Sequence, residues 1–154
     1  MKGVSSLFLN ISLGFILPWI VAFFLIKKDR KLLVLIAPCG SVIASTFDLL
    51  GKGFGFWKVT PFSLELMNAI PMYLGIYPVL ATYMIFFINR KKWPRLVGIL
   101  GFTLFTTILE GLGVVFGKVH YYNDWNIGWT FISYLIPFIL VYFYYSYLKR
   151  LRLI

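Results

Sequence analysis

One cysteine and one histidine are all the chain offers of the side chains that most often bind metals or carry redox chemistry. Cys39 has no partner for an internal disulfide, and a small packing role in an apolar helix is expected for it. His120 alone is a poor metal site, even with Asp124 and Glu65 expected on the same side, so neither a metal nor a cofactor is expected. A phosphate-binding glycine loop, Gly-x-Ser-x-Gly, His-Glu-x-x-His and an aspartate-rich box for magnesium and a diphosphate are all missing, and the chemistries they announce have no support. Low-complexity stretches and linkers are absent too. Charge is sparse: only 13% of the 154 residues are Asp, Glu, Lys or Arg.

What fills the chain instead is apolar. Hydrophobic residues make up 60% and aromatics 20%, with a mean hydropathy of +0.86. A soluble domain of this size cannot hide that much apolar surface, because apolar usage there is nearer half. The charges come in clumps, and the stretches between them are each about the 20 residues a helix needs to cross a hydrocarbon core of roughly 30 Å. The expected spans are Leu7–Ile26, Leu32–Leu50, Ala69–Ile88, Leu96–Phe116 and Ile127–Leu148. The first is too long for a signal-peptide core, no small-residue cleavage site follows it, and Lys27–Lys31 stops it, so it is expected to remain as a helix. No span alternates as a lipid-facing strand would.

Eleven Lys and Arg fall at 27–31, 90–95 and 149–152, and four (Lys2, Lys52, Lys58, Lys118) fall on the other side. The positive-inside rule then puts the N-terminus outside and the C-terminus in the cytoplasm. The net charge of +10 is thus read as topology and attraction to membrane lipids, and nucleic acid is not an expected partner.

A repeat is visible as well. Asp48–Gly55 (DLLGKGFG) aligns with Glu110–Gly117 (EGLGVVFG) at an offset of 62 residues. Upstream, Ser41 matches Thr103 and Ser45 matches Thr107. Downstream, Pro78 and Pro137 lie 59 apart, each in a helix with a basic stop. The expected fold is an all-α membrane protein: one domain, 1–154, forming a five-helix transmembrane bundle. It consists of a duplicated two-helix unit (helices 2–3 and 4–5, about 31–90 and 93–150) plus an extra N-terminal helix. Both copies have one orientation, so a symmetry axis would run along the membrane normal.

Ser41, Ala44, Ser45, Asp48, Gly51 and Gly55 recur at helical steps and form one stripe, and Thr103, Thr106, Thr107, Glu110, Gly113 and Gly117 form another. Small and hydroxyl residues let helices approach and bond across the interface, so both stripes are expected to face protein. Asp48 lies 17 residues past Lys31 and Glu110 lies 15 past Arg95. At about 1.5 Å per residue, both acids sit roughly 22–26 Å from the cytoplasmic boundary. Ionisable groups inside a membrane mark function by default, although Asp48 also reads as a wet interfacial residue and Glu110 as one half of an interhelical bond. Two carboxyls in one dry site cannot both ionise, which leaves a neutral acid able to donate a proton.

Asp48 and Glu110 are therefore the catalytic candidates. Around them, Trp57, Asn68, Tyr73, Tyr77, Thr107, Tyr121, Trp125 and Trp129 are candidates to line a substrate site, with Thr130, Ser133 and Tyr134 able to complete a polar pocket. The aromatics serve equally as an interfacial belt or as faces that stabilise a cation.

At Glu110-x-x-Gly113-x-x-x-Gly117-x-x-x-Tyr121, and in the Tyr121-x-x-x-Trp125-Asn126 approach to the last helix, the chain resembles a family of small, uncharacterised multi-pass membrane proteins of spore-forming Firmicutes. That resemblance covers most of the length and implies a bacterial membrane location without an activity. More distantly, the chain is similar to integral-membrane lycopene cyclases of the small-subunit type and to carotenoid hydratases. Those have duplicated helical units and acids at the membrane surface; this chain lacks their Pro-x-Glu-Glu motif. The second resemblance implies protonation of an isoprenoid double bond or epoxide, with an apolar, lipid-like partner. Two rivals stand beside it: a non-catalytic protein binding lipid or a partner, and a proton- or cation-coupled carrier working as a homo-oligomer.

Overall fold

The computed structural model describes the backbone at 2–60, 62 and 65–154, and the side chains of all these except 2–6, 65, 66 and 68. The chain is mostly helical. Its elements are α1 (Lys2–Ile11), a π-helical turn (Ser12–Ile16), α2 (Leu17–Gly53), β1 (Trp57–Val59), α3 (Glu65–Pro71), a second π-helical turn (Met72–Ile76), α4 (Tyr77–Arg90), α5 (Arg95–Val115), β2 (Val119–Tyr121) and α6 (Ile127–Arg150). Among the described residues, four helical runs are long and apolar enough to cross a membrane: Leu7–Gly53, Ala69–Arg90, Arg95–Val115 and Ile127–Arg150. Their outward faces carry large apolar side chains such as Phe23, Val42, Leu104 and Phe143, as an all-α fold in lipid requires.

The run Leu7–Gly53 holds 47 residues, about twice what a hydrocarbon core needs. It does not stop at the basic cluster 27–31 as the sequence leads one to expect. The chain bends within the helix at Asp29, whose backbone is non-helical (φ −157°, ψ 68°). On the first arm, Trp19 bonds the Leu74 carbonyl, the Val21 carbonyl receives Tyr83, and Asp29 meets Arg90. On the second arm the order runs back, with Gly40 against Ala81 and Pro78, and Ser41 on the Tyr73 carbonyl. The chain thus doubles back along α4. Asp29 secures the reversal with both oxygens: Oδ1 accepts from Leu32 N at 3.1 Å, capping the second arm, and Oδ2 takes Arg90 Nε at 2.7 Å. Asp29→Ala should cost about 1–2 kcal/mol, the value of a lost cap, with little from the ion pair because Arg90 is largely exposed. Asp29→Asn keeps the cap and should cost less; detergent titration followed by circular dichroism reads the difference.

Both π-helical turns lie just before a proline. Pro18 and Pro78 have no N–H to give, and the carbonyls released near Pro78 find other donors: Trp19 Nε1 reaches Leu74 O at 2.9 Å and Ser41 Oγ reaches Tyr73 O at 2.6 Å. The two turns meet face to face at Gly14 and Gly75. The densest apolar core lies nearer Asp29, where Leu25, Leu32, Ile36, Met84, Ile85 and Val141 are fully buried.

The α5 stripe is buried at Thr103, Thr106 and Thr107, whereas the α2 stripe is only half-buried apart from Gly51, and Gly117 is exposed; most of the hydroxyls do not bond across helices. Thr103, Thr106 and Thr107 each give their hydrogen to the carbonyl four residues back on α5, and Ser45 gives its own to Val42 O. A hydroxyl on a helix has that carbonyl within easy reach. Ser41 does cross, to Tyr73 O.

Opposite the Asp29 end, α2 and α5 close identically. Phe54 N, Gly55 N and Phe56 N bond Leu50 O, Lys52 O and Gly51 O; Phe116 N, Gly117 N and Lys118 N bond Leu112 O, Val114 O and Gly113 O, all shifted by 62 residues. Gly55 (φ 71°) and Gly117 (φ 65°) hold the left-handed position that this helix ending requires. Both helices then lead into strands that pair antiparallel, Trp57 with Tyr121, Lys58 with His120 and Val59 with Val119. The central partners, Lys58 and His120, are themselves 62 residues apart, so the local two-fold axis of the strand pair relates matching positions of the two segments. Sequence reading missed both strands, which are three residues each and too short to show alternation.

Candidate functional site: two clamped carboxyls and one cavity

Each acid is held by an aromatic donor from its own following strand and by a tyrosine from the helix after it. Asp48, on α2, accepts Trp57 Nε1 at 2.9 Å and the Tyr73 hydroxyl. Glu110, on α5, accepts the Tyr121 hydroxyl at 2.8 Å on Oε1 and the Tyr134 hydroxyl on Oε2. Trp57 and Tyr121 are strand partners, yet they turn to different acids. Gly51 makes the first of these bonds possible: a Cβ there would lie 1.8 Å from the Trp57 ring.

The two clamps differ in charge. Lys52 Nζ pairs with Asp48 Oδ2 at 2.6 Å, one helical turn on, and both side chains are mostly buried. Val114 stands where a second lysine would be needed. Glu110 is surrounded by neutral hydroxyls instead, with Thr130 Oγ1 3.2 Å from Oε1. Among the described residues, no cation pairs with Glu110 and no hydrogen bond joins the two carboxyls. A charged Asp48 thus has its counter-ion, while Glu110 has donors only.

Trp125 Nε1 donates to Thr130 Oγ1 at 2.9 Å, and Thr130 lies 2.9 Å from the Tyr121 oxygen. This gives the Trp-Asn pair before the last helix a physical role. Asn126 caps α6 by accepting from Gly128 N and Trp129 N, and Trp125 orients the hydroxyl beside Glu110. Burial, and next the Glu110 carboxylate, push the Tyr121 phenol up, so it remains a donor.

Asp48 and Glu110 line one cavity together, with Trp57, Tyr77, Ser133 and Tyr134 at the polar end and Gly40, Ala44, Phe47, Ala81, Pro137, Phe138 and Val141 along its length. Its volume is about 50 Å³, room for a few waters rather than a folded ligand. Tyr77 lies 3.2 Å from Tyr134, hydroxyl to hydroxyl.

Of the residues expected to line a site, Trp57, Tyr77, Asp48 and Glu110 border the cavity, and Tyr73 and Tyr121 hold the acids. Trp125 packs on Phe56 and Trp57, with ring centroids 4.7 and 4.9 Å apart. Thr107 is buried and bonded to its own helix, away from the cavity. Trp129 is mostly exposed beside Trp125. The side chain of Asn68 lies outside the described residues. His120 sits against the Gly117 carbonyl and the Phe62 ring. Lys52 was legible through its i,i+4 spacing from Asp48 but was read only as a topological charge.

Comparison of the chain with protein-family models, with curated proteins and with solved structures gives no match. Its function has to be argued from the site.

Proposed function

We propose that this is a five-span protein of a bacterial cell membrane, N-terminus outside and C-terminus in the cytoplasm. Its two carboxyls form one acid–base site acting on an isoprenoid-type lipid. The supporting observation is that Asp48 and Glu110 share a cavity while only Asp48 carries a counter-ion. Glu110 is then the acid: its proton passes to an alkene carbon or epoxide oxygen, and Tyr121, Thr130 and Tyr134 stabilise the carboxylate left behind. The Asp48 carboxylate faces the cation formed and takes the proton that ends the reaction, with the Trp57 ring beside it.

A cavity this small does not engulf a long lipid. Gly40, Ala44 and Ala81 thin the walls along its apolar length, and Gly40 to Asp48 spans about 12 Å of helix. The reacting end enters and the rest of the chain stays in the bilayer. One observation favours a non-catalytic reading instead: among the described residues, no buried side-chain polar atom lacks a hydrogen-bond partner, which suits acids that serve packing. Lipid that co-purifies with the protein, identified by mass spectrometry, separates the two. An unsaturated isoprenoid and its cyclised or hydrated product support the enzyme; bulk phospholipid alone rejects it.

The five-span topology is supported by the reversal at Asp29 and by eleven basic residues at one end. In a background lacking Cys39, Asn123→Cys should react with an impermeant maleimide on intact cells, and Lys92→Cys only after lysis. The opposite pattern inverts the assignment.

A further inference from the structure

The Glu110 carboxyl faces two different environments through its two oxygens. Oε1 receives Tyr121 and Thr130, which belong to the strand-capped end; Oε2 receives Tyr134, which borders the cavity and touches Tyr77. We propose that Glu110 is a proton relay loaded from the strand-capped end through the Tyr121 hydroxyl and discharged into the cavity when its carboxyl turns. This rests on the reading of Glu110 as the site's acid and adds where its proton comes from.

The donors fix the direction of supply. The Trp125 indole donates only and keeps its hydrogen, so Thr130 is closed on that side and can pass its own proton only to Tyr121 or to Glu110. Tyr121 sits on β2, is half-buried, and is the one of these hydroxyls whose strand lies beyond the helices. Water at that end can replace a proton given up by Tyr121. Among the described residues the other end offers no continuous path: past Tyr77 the cavity runs against Ala81, Phe138 and Val141, beyond these lie Met84, Ile85, Leu25 and Ile36, all fully buried, and Tyr145, a turn past Val141, gives its hydroxyl to Asn89. Thr82 is spent on the Pro78 carbonyl. On α2, the facing charges are Asp48 and its partner Lys52, which neutralise one another.

In the reloading step, the Tyr121 O–H bond breaks as a bond from Glu110 Oε1 to hydrogen forms, and Tyr121 recovers a proton from hydronium at the strand end. The neutral carboxyl then turns so that the O–H formed at Oε1 faces the cavity, and that bond breaks as the proton passes to the alkene carbon or epoxide oxygen of the lipid held there. No oxidant, metal or second substrate is involved.

The test needs no lipid substrate. The full chain is reconstituted in vesicles in one orientation and the pH is dropped on one side, while infrared difference spectroscopy follows the carbonyl band of a protonated carboxyl. The band is assigned to residue 110 by its loss in Glu110→Gln. It should grow promptly after acidification of the strand side and stay flat after acidification of the basic-loop side. Tyr121→Phe should slow its growth by about tenfold or more, the rate equivalent of one hydrogen bond to a charged group. Gly101→Ala, whose added Cβ meets nothing within 4 Å, is an independent check on folding and should behave as the parent. Growth from the basic side, growth unaffected by Tyr121→Phe, or no titrating band at all would each overturn the relay. If the band loads from the strand side and no lipid is ever converted, the enzyme reading alone fails. If lipid is converted by a protein that loads from the other side, the relay alone fails.

Discussion

Glu110→Gln should abolish conversion of the lipid substrate, with a loss on the order of 10²–10⁴-fold, while leaving the protein folded. The network around the side chain explains why these two effects separate. Four hydroxyls and an indole run toward one carboxyl: Tyr77 to Tyr134 to Oε2, and Trp125 to Thr130 and Tyr121 to Oε1. An amide oxygen still accepts from Tyr121. The amide nitrogen faces the Tyr134 oxygen, and Tyr134 keeps a partner by turning its hydrogen to Tyr77, 3.2 Å away. The rewired site costs little, because each polar atom retains a bond, but it holds no acidic proton. Glu110→Leu has no such exit. Tyr121 loses its acceptor, Thr130 falls back on Tyr121, and the unfolding free energy should drop by about 2–3 kcal/mol, the range for one or two stranded donors. Turnover assayed on extracted lipid and detergent titration followed by circular dichroism measure the two effects. A glutamine variant that is stable and fully active leaves the acid a purely structural role.

Why the carboxyls were legible in the sequence, and much of their setting was not, comes down to range. An acid inside an apolar helix is visible from composition, because lipid makes it costly, and its stripe follows from helical periodicity. The last span was read from Ile127 because an uncharged apolar stretch begins there, and the helix does start at that residue, capped by Asn126. Tyr73 and Tyr134 reach the acids from 25 and 24 residues away, and nothing in local pattern assigns a tyrosine to one acid rather than another. Trp57 and Tyr121 were read as apolar faces, whereas the structure uses their N–H and O–H; that choice depends on strands three residues long and on the bare Cα of Gly51. A reversal at 27–31 was expected, but the part Asp29 plays in it was not, because one acid among four cations reads as part of a basic loop. Its side chain is buried, and both of its oxygens are occupied.

Gly75→Ala should destabilise the protein by about 2–4 kcal/mol, at or above the upper end for overpacking, and should loosen the Asp48 clamp from a distance. A Cβ on Gly75 would lie 2.0 Å from the Gly14 carbonyl oxygen and 2.6 Å from the Phe15 Cα. Both are backbone atoms, so no side-chain rotation relieves the clash. The neighbour is already glycine, which leaves no compensating truncation. The two π-helical turns must move apart, and the Trp19 bond to Leu74 O is in the way of that movement. Tyr73 belongs to the same turn; its carbonyl is tied to Ser41 and its hydroxyl to Asp48, so a shift of the turn pulls on the carboxyl directly. Gly101→Ala supplies the contrast. Nothing lies within 4 Å of its Cβ position, and alanine should be neutral or stabilise α5 by up to about 1 kcal/mol through helix propensity. Detergent titration ranks the two variants against the parent. The Trp57 share of the fluorescence, taken as the difference from a Trp57→Phe background because Trp19 is bonded to the moving turn itself, reports the clamp: the indole loses a fixed partner if Asp48 moves. Equal stability of both variants would mean that the Gly14–Gly75 crossing has slack. A destabilised Gly75→Ala with unchanged Trp57 emission would mean that the turn and the carboxyl are mechanically independent.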